Sequence, residues 1–522
     1  LAGRLGRRVH ESRGVWLAGL ALAVLLTAVW LLPTVYTDQG VAFGPGELTG
    51  NAYALDEAFA VLDGRSPLVD MIAYGTLWSY VVALPLAALD GSYAAFTATM
   101  ALLTGLGLLA VYGVLRRVAG TLAALAVYVP VLASSFFIET GTLVARYDPG
   151  NYFGIFPLRY TGPYLLAWLV ARHVDPRTVR RVPPELLFLA AGLVALNNID
   201  FGCSALAATA LAVLAVRRPE ESLRRLVRAA AVGLAAALAL VSLLTLARAG
   251  SLPHLGLLLR YGRIFVSGGY GNVALPGLGL HVVITLTFVA ALAAAAVRRT
   301  TARENPVLTA MLAWSGVFGL GAGTYFYAYR SHPDVLINLF SIWSLTLALL
   351  VVAVVGELRR AGARRVPTLP QLAALFGFGL MACSVAQLPL PWQQLDRIAA
   401  SAPYEPFRLP RLAAVVAATT RPGERVVVFA PVGHRVAHAA GVVNVSPYTG
   451  LGQMPAREQL EEVIALLERE GGTRIYVAEA APIGLDAELA NHGYVGLGQQ
   501  QGIGSEGSSA VLYQARSARE QE

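Results

Sequence analysis

Residues 37–70 hold six carboxylates, Asp38, Glu47, Asp56, Glu57, Asp63 and Asp70, and a single arginine, Arg65. A carboxylate near a membrane surface, partly desolvated and beside a cation, can deprotonate a hydroxyl nucleophile. Asp56 and Glu57, adjacent in the chain, and Asp38 are the candidates for that role. For any one of them taken singly, a solvated acidic loop is the simpler account. The concentration of acids in one segment is what points to chemistry.

A second segment, 138–160, reads IETGTLVARYDPGNYFGIFPLRY and sets Glu139, Arg146, Asp148 and Arg159 among aromatic rings. Aromatic faces beside charges suit sugars, whose ring hydrogens stack while their hydroxyls hydrogen-bond. Arg146, Asp148 and Tyr152, with Tyr327 farther on, are therefore candidate sugar- or acceptor-binding residues, although such tyrosines also serve as interfacial anchors. A third group joins Arg330 and His332 of GTYFYAYRSHPD (323–334) to Arg260 and Arg263 of LLLRYGRIFVSGGYGN (257–272). A guanidinium binds phosphate oxygens through two parallel hydrogen bonds and keeps its charge at any working pH, so these four form a candidate phosphate clamp. The alternative is ordinary snorkelling of arginine to the interface. No Asp-X-Asp in the outer loops, His-Glu-X-X-His or cysteine pair is present, so neither a metal nor another cofactor is expected.

Composition decides what must position these groups. Apolar residues make up 56% of 522 positions, mean hydropathy is +0.59 and only 14% of residues are charged, which excludes an ordinary soluble protein. The net charge of +8 would suggest nucleic acid in a soluble chain. Here the arginines cluster in short loops between apolar runs, where they act as topology signals, and no nucleic-acid partner is expected. All 40 basic residues are arginine, a codon bias that points to a high-GC bacterial source. Cys203 and Cys383 both lie in apolar runs and read as packing residues.

About twenty apolar residues are needed to cross the hydrocarbon core as a helix. Spans are expected at 16–36, 92–115, 119–137, 158–172, 185–198, 200–216, 226–247, 276–297, 306–327, 334–355 and 368–389, about eleven in all. Arg4, Arg7, Arg8 and Arg13 precede the first, which is too long for a signal-peptide core and reads as a retained span. Arg180 and Arg181 before residue 185, and Arg217 and Arg218 after 216, put both ends of that stretch in the cytoplasm. Asn197, Asn198 and Asp200 must then turn at the outer surface. With this choice 22 arginines lie in cytoplasmic segments and seven in outer loops, including Arg65, Arg146, Arg159 and Arg330. The segment 71–89 reads as an amphipathic helix in the outer interface, with Tyr74, Trp78 and Tyr80 at headgroup level. It lies within a long first outer loop, 37–91. Counting it as a twelfth span would invert every later loop.

After Pro389, Pro391 and Trp392 the composition becomes that of a small globular domain, giving a division into 1–390 and 391–522. RVVVFAP (425–431), RIYVAEA (474–480) and SAVLYQAR (509–516) read as strands, and REQLEEVIALLERE (457–470) as an amphipathic helix. That alternation predicts a compact α/β domain, placed outside the cytoplasm by the odd number of spans. The glycines of GIGSEG (502–507) do not join a strand to a helix, so a dinucleotide fingerprint is not indicated.

In this order the parts resemble a known family. LDEAFAVLDGRSPLVDMIAYGTLWSYVVALPLAALDGSYAAFTATMALLTGLGLLAVYGVLRR (55–117) resembles the opening of GT-C superfamily membrane glycosyltransferases, among them protein O-mannosyltransferases and the lipid A aminoarabinose transferase. There an Asp-Glu pair is followed by a Gly-X-X-Pro turn, an interfacial helix and a span ending in Arg-Arg. The corresponding residues are Asp56 and Glu57, Gly64 to Pro67, and Arg116 and Arg117; YAYRSHP (327–333) is similar to an outer-loop motif of bacterial members. The resemblance implies a GT-C-like fold and inverting transfer of a sugar from a polyprenyl-phosphate donor, with Asp56 as base and Glu57 beside it. The pair lies some distance past the first span, whereas Asp38 follows the span directly and competes for the role.

The sequence is thus read as an α-helical polytopic protein of the bacterial cytoplasmic membrane, with its N-terminus inside and its C-terminal α/β domain outside. Its expected activity is glycosyl transfer to a hydroxyl of an envelope glycan, lipid or protein, with membrane lipids as its surroundings. The C-terminal domain would cover the site or bind the acceptor. A lipid-linked sugar flippase or other transporter is the first rival, but would place its charges within spans at mid-membrane. A non-catalytic envelope assembly protein is the second, and would give the acidic loop no task.

Overall fold

The computed structural model describes residues 12–31, 48–135, 137–139, 145–147, 156–217, 222–260, 274–299, 305–328, 331, 335–336, 338–361, 378, 409–430, 432–448, 457–478, 485–500 and 510–516. Helix α1 (Arg13–Leu31) precedes α2 (Leu48–Leu62), α3 (Thr76–Ala88), α4 (Tyr93–Ala119) and α5 (Thr121–Ser134). A small antiparallel hairpin follows, β1 (Phe137–Glu139) with β2 (Ala145–Tyr147). A π-helical turn, Pro157–Thr161, runs into α6 (Gly162–Val174). The apolar series continues with α7 (Pro184–Asn197), α8 (Ile199–Ala215), α9 (Leu223–Ala249), α10 (Leu280–Arg298), α11 (Pro306–Tyr327) and α12 (Phe340–Ala361).

Six helices among the described residues are long and apolar enough to cross a membrane: α1, α4, α9, α10, α11 and all but the last turn of α12. The chain is a multi-pass membrane protein. The sequence led us to expect about eleven crossings. Helices α5, α7 and α8 have 14, 14 and 17 residues. At 1.5 Å per residue they reach roughly 20–25 Å, short of a ~30 Å hydrocarbon core. The expected span at 368–389 lies outside the described residues except for Phe378.

The stretch from 184 to 215 is two helices, as the arginine placement required. The break is at Asn198, whose backbone is extended and whose Oδ1 accepts from the Phe201 N–H at 3.1 Å, capping α8. The two helices fold back on each other so closely that a Cβ on Gly202 would lie 2.2 Å from the Val194 carbonyl oxygen. Only glycine fits there.

Beyond the membrane helices come α13 (Leu409–Thr419), β3 (Arg425–Phe429), α14 (Gly433–Ala440), β4 (Val443–Asn444), α15 (Arg457–Arg469), β5 (Arg474–Val477), α16 (Leu485–Asn491), β6 (Tyr494–Gln500) and β7 (Ala510–Ala515). The sheet order is β4-β3-β5-β7-β6, with β4, β3 and β5 parallel and β7 antiparallel to both β5 and β6. Strands β3, β5 and β7 and helix α15 occupy the stretches that patterning marked for them. Val427, Phe429, Ile464, Leu467, Ile475 and Val477 form the apolar core beneath the sheet. Ile72, from the loop before α3, is buried in the same core, so the tail is packed onto the first-loop region.

Helix α4 supplies the axis that relates the two ends of the molecule. Near one end, Tyr93 lies under the Arg435 guanidinium of the tail, 5.8 Å from ring centroid to Cζ. At the other end, Arg117 pairs with Asp175 at 2.8 Å, just past α6. Twenty-seven residues of helix separate these faces by about 40 Å. The tail therefore lies on the side of α2 and α3, opposite the Arg116 and Arg117 pair.

Candidate active site

Helix α2 presents its two adjacent carboxylates in different directions. It ends at Gly64, whose φ of +91° is the left-handed conformation of a helix C-terminus, with the Arg65 N–H returning to the Ala60 carbonyl at 2.9 Å. Asp56 and Glu57 are one residue apart, so about 100° of rotation separates them around the helix. Both are buried, at 0% and 1% exposure.

Glu57 points at the start of α3. Its Oε1 accepts from the Tyr74 N–H at 2.5 Å, and its Oε2 accepts from the Gly75 N–H at 3.3 Å and the Ser79 hydroxyl at 3.1 Å. The next two donors, the N–H groups of Leu77 and Trp78, go to Asn197 Oδ1 at 2.9 and 3.0 Å. A helix N-terminus leaves such donors without intrahelical partners, and here α2 and the α7–α8 break satisfy them. Burial raises the Glu57 carboxyl to about 7 against the pull of its three donors. Every oxygen of Glu57 is engaged in holding α3.

Tyr74, expected as a headgroup anchor, instead connects three segments. Its N–H goes to Glu57, its carbonyl accepts from Asn198 Nδ2 at 3.1 Å, and its hydroxyl accepts from Arg159 Nε. Arg159 sits in the π-helical turn at 4% exposure, with its Cζ 5.2, 5.1 and 4.8 Å from the ring centroids of Tyr74, Phe201 and Tyr325. Among the described residues no carboxylate oxygen lies within 4 Å of this guanidinium. Three faces of aromatic π density stabilise a cation that burial would otherwise disfavour. Tyr325 belongs to the last turn of α11, so a residue of the third polar region meets Arg159 of the second, beside Tyr74 from the loop before α3.

Asp56 points the other way, at the tail. Its Oδ1 accepts from the Arg435 N–H at 3.0 Å, and the His434 backbone lies next to it in the first turn of α14. Its Oδ2 is buried with no hydrogen-bond partner among the described residues. Burial drives its pKa well up, the Arg435 and His434 N–H groups draw it down, and the nearby Glu57 and Asp63 carboxylates raise it further. The tail is tied down around this contact. His438 Nδ1 meets Asp63 Oδ1 at 2.6 Å, Arg65 Nη2 donates to the Val445 carbonyl at 2.9 Å, and the Ile72 N–H donates to the Pro447 carbonyl at 3.0 Å.

Other candidates have different surroundings. Arg260, a candidate for the phosphate clamp, gives both Nη groups to the Glu462 carboxylate of α15, with Tyr448 under its guanidinium at 5.7 Å. The Tyr327 hydroxyl bonds to Thr285 Oγ1 at 2.7 Å and to the His281 carbonyl at 3.3 Å, tying α11 to α10. Asp38, Asp148, Tyr152, Arg263, Arg330 and His332 lie outside the described residues, as does the side chain of Arg146, whose backbone is in β2. One trio of possible metal ligands occurs among the described residues, Glu461, Glu488 and His492, with ligand atoms within 4.8 Å of one another. It belongs to α15, α16 and the residue following α16 by one position, and His492 is paired with Glu488 at 3.5 Å.

Sequence reasoning found Asp56 and Glu57 but did not single out Arg159, His434 or Arg435. For Arg159 the signal was present in the density of rings around it, FGIFPLRY (153–160).

No family model matches the chain, and no curated protein matches it. Solved structures do. ArnT from Cupriavidus metallidurans, bound to undecaprenyl phosphate, is 14% identical with a TM-score of 0.47, over 96% of this chain and 98% of that one. The oligosaccharyltransferase AglB from Archaeoglobus fulgidus, in complex with an inhibitory peptide and a dolichol-phosphate, is 13% identical with a TM-score of 0.44, over 92% of this chain and 72% of that one. The arabinofuranosyltransferase AftD from Mycobacteria is 16% identical with a TM-score of 0.39, over 97% of this chain and 41% of that one.

Proposed function

We propose that the chain is an integral membrane glycosyltransferase that moves a sugar from a polyprenyl-phosphate donor to an extracytoplasmic acceptor hydroxyl, with inversion. The observation that carries this reading is the division of labour on α2. Glu57 has both oxygens bound and serves the scaffold, while Asp56 has one oxygen held and the other buried with no partner among the described residues. A buried carboxylate with one oxygen so placed is suited to general-base work.

On this reading the acceptor O–H loses its proton to Asp56 Oδ2 as its oxygen bonds to the anomeric carbon. The bond from that carbon to the phosphate oxygen breaks, and the electron pair leaves with the polyprenyl phosphate. A cation beside the departing phosphate stabilises the charge that develops there. Arg159 and Arg330 are assigned this task. Arg159 is buried with no carboxylate within 4 Å among the described residues, and Arg330 follows Tyr325, one of the rings around Arg159, by five positions. Arg263 and His332 stand as secondary ligands, and Asp148, Arg146 and Tyr152 as contacts to the sugar or acceptor. The acceptor is an envelope glycan, lipid or protein.

The test uses membranes carrying Asp56→Asn or Asp38→Asn and radiolabelled polyprenyl-phosphate sugars. Asp56→Asn should abolish transfer with the protein still inserted, whereas Asp38→Asn should retain it. Loss with Asp38→Asn alone would move the base to Asp38, and indifference to both would remove the transferase reading.

A further inference from the structure

The first turn of α14 has three N–H donors that its own helix cannot satisfy. Gly433 N–H finds the Ala430 carbonyl at 3.1 Å, and Val436 N–H already makes the intrahelical bond to Val432 at 3.0 Å. His434 and Arg435 lie between. The residue at the cap position is Val432, which has no side-chain acceptor to offer. The Arg435 donor is met by Asp56, a residue 379 positions earlier in the sequence. The turn that allows this is tight, since a Cβ on Gly433 would lie 2.2 Å from the Val428 carbonyl oxygen. Helix α14 also follows β3 directly, so its N-terminus lies at the carboxyl end of the parallel strands, where open α/β sheets present their ligands.

We propose that the tail is a working part of the reaction site, with the N-terminus of α14 as the positioning element of the base: the Arg435 N–H fixes Asp56 Oδ1 and leaves Oδ2 to take the acceptor proton. The proposal rests on the transferase reading given above. Its logic is that of a base oriented by a third group, here main-chain donors reinforced by a helix dipole. Such donors favour the ionised carboxylate and offset part of the penalty of burying it. Among the described residues the titratable groups that act on Asp56 by charge are Glu57 and Asp63, from α2 and its end, and His438 of α14 pairs with Asp63. Arg435 and His434 act here through their backbone, so their side chains can change while the hydrogen bonds persist.

That separation supplies the experiment. Arg435→Ala keeps the N–H, whereas Arg435→Pro removes it at a first-turn position where proline is tolerated. Both lack the guanidinium that lies over Phe59 and Tyr93, so the pair differs in the donor. Relative to Arg435→Ala, the proline variant should lose about tenfold or more in kcat with little change in donor KM, and the acid limb of its pH profile should move about one pH unit upward. A second readout does not need the reaction. Asp56 in the full-length protein is labelled with dicyclohexylcarbodiimide across pH and quantified by mass spectrometry. Because the protonated acid is the reactive form, its labelling midpoint should rise in Arg435→Pro. If limited proteolysis shows that proline loosens the tail, an amide-to-ester replacement at position 435, made in the alanine background, deletes the same donor without the ring. Identical labelling midpoints and identical pH profiles with and without the donor would overturn the proposal. Transfer that survives Asp56→Asn would instead remove Asp56 as the base, and the labelling midpoint would still decide whether α14 controls this carboxyl.

Discussion

The two faces of α2 hold carboxylates of nearly equal burial in opposite states of saturation. On the face turned to the membrane helices, Glu57 accepts three hydrogen bonds and joins α2 to the start of α3. On the face turned to the tail, Asp56 is held through Oδ1 while Oδ2 has no partner among the described residues. Burial alone therefore does not identify a base. On the proposed reading the acceptor without a partner among the described residues is the one that takes the proton, because a saturated carboxylate has nowhere to take one without losing a structural bond.

The sharpest way to break this contrast is to neutralise each carboxyl without changing its shape. Asp56→Asn should lower transfer by about 10²–10⁴-fold, the usual contribution of a positioned base. Glu57→Gln keeps an acceptor for α3 and should leave most of the transfer rate in folded protein. A rate assay on purified, size-homogeneous samples separates them. Equal losses would mean that Glu57 shares the chemistry and that the contrast is false.

Truncation should reverse the order, with stability as the readout. Glu57→Ala leaves the N–H groups of Tyr74 and Gly75 without their acceptor, while the Ser79 hydroxyl keeps the Gly75 carbonyl at 2.8 Å. At about 1–3 kcal/mol for each buried donor left unmet, the loss should be on the order of 3 kcal/mol or more. It should appear as a lower thermal midpoint in detergent and as protease cleavage in residues 63–75. Asp56→Ala removes the acceptor of the Arg435 N–H at the tail contact and should loosen α14 before it affects α3.

Much of this contrast was legible in the sequence, and the missing parts share a physical cause. The Asp56 and Glu57 pair, the Gly64 turn and the Asn198 break are local, set by chain neighbours, and pattern reasoning reached them. The partners were not local. Arg435 reaches Asp56 across 379 positions and Glu462 reaches Arg260 across 202, and neither helix carries a motif that announces its target. Tyr74 read as a headgroup anchor because its composition suits an interface. Its three partners, from α2, the π-helical turn and the α7–α8 break, become visible only once those elements are assembled.

A smaller effect lies in the pH dependence of stability. The Glu57 carboxyl is raised from 4.5 to about 7, so between those values the folded state holds a proton that the unfolded state has released. Stability contributed by this group is therefore complete below 4.5 and is lost as pH rises through 7, by on the order of 1 kcal/mol per pH unit. His434, lowered from 6.5 to about 3, works the other way, losing stability as pH falls through that window. Comparing Glu57→Gln with the parent protein at matched pH cancels the histidine. The variant should gain relative stability from pH 5 to pH 8, and a constant difference would show that Glu57 is ionised in the fold throughout.

The least effect is expected at Arg260 and Glu462, which tie the membrane part to α15 at the rim of the tail contact. Their side chains are 34% and 38% exposed, so solvent screens the pair even though the guanidinium engages both carboxylate oxygens. Exposed pairs contribute about 0–1 kcal/mol, and a double-mutant cycle of Arg260→Ala and Glu462→Ala on the thermal midpoint should return a coupling in that range that shrinks with added salt. Transfer should change little in either single variant, because a docking strut at the rim touches neither Asp56 nor Arg159. A loss of transfer comparable with that of Asp56→Asn, confined to Arg260→Ala and absent from Glu462→Ala, would return Arg260 to the phosphate clamp and make its pairing with Glu462 a resting contact.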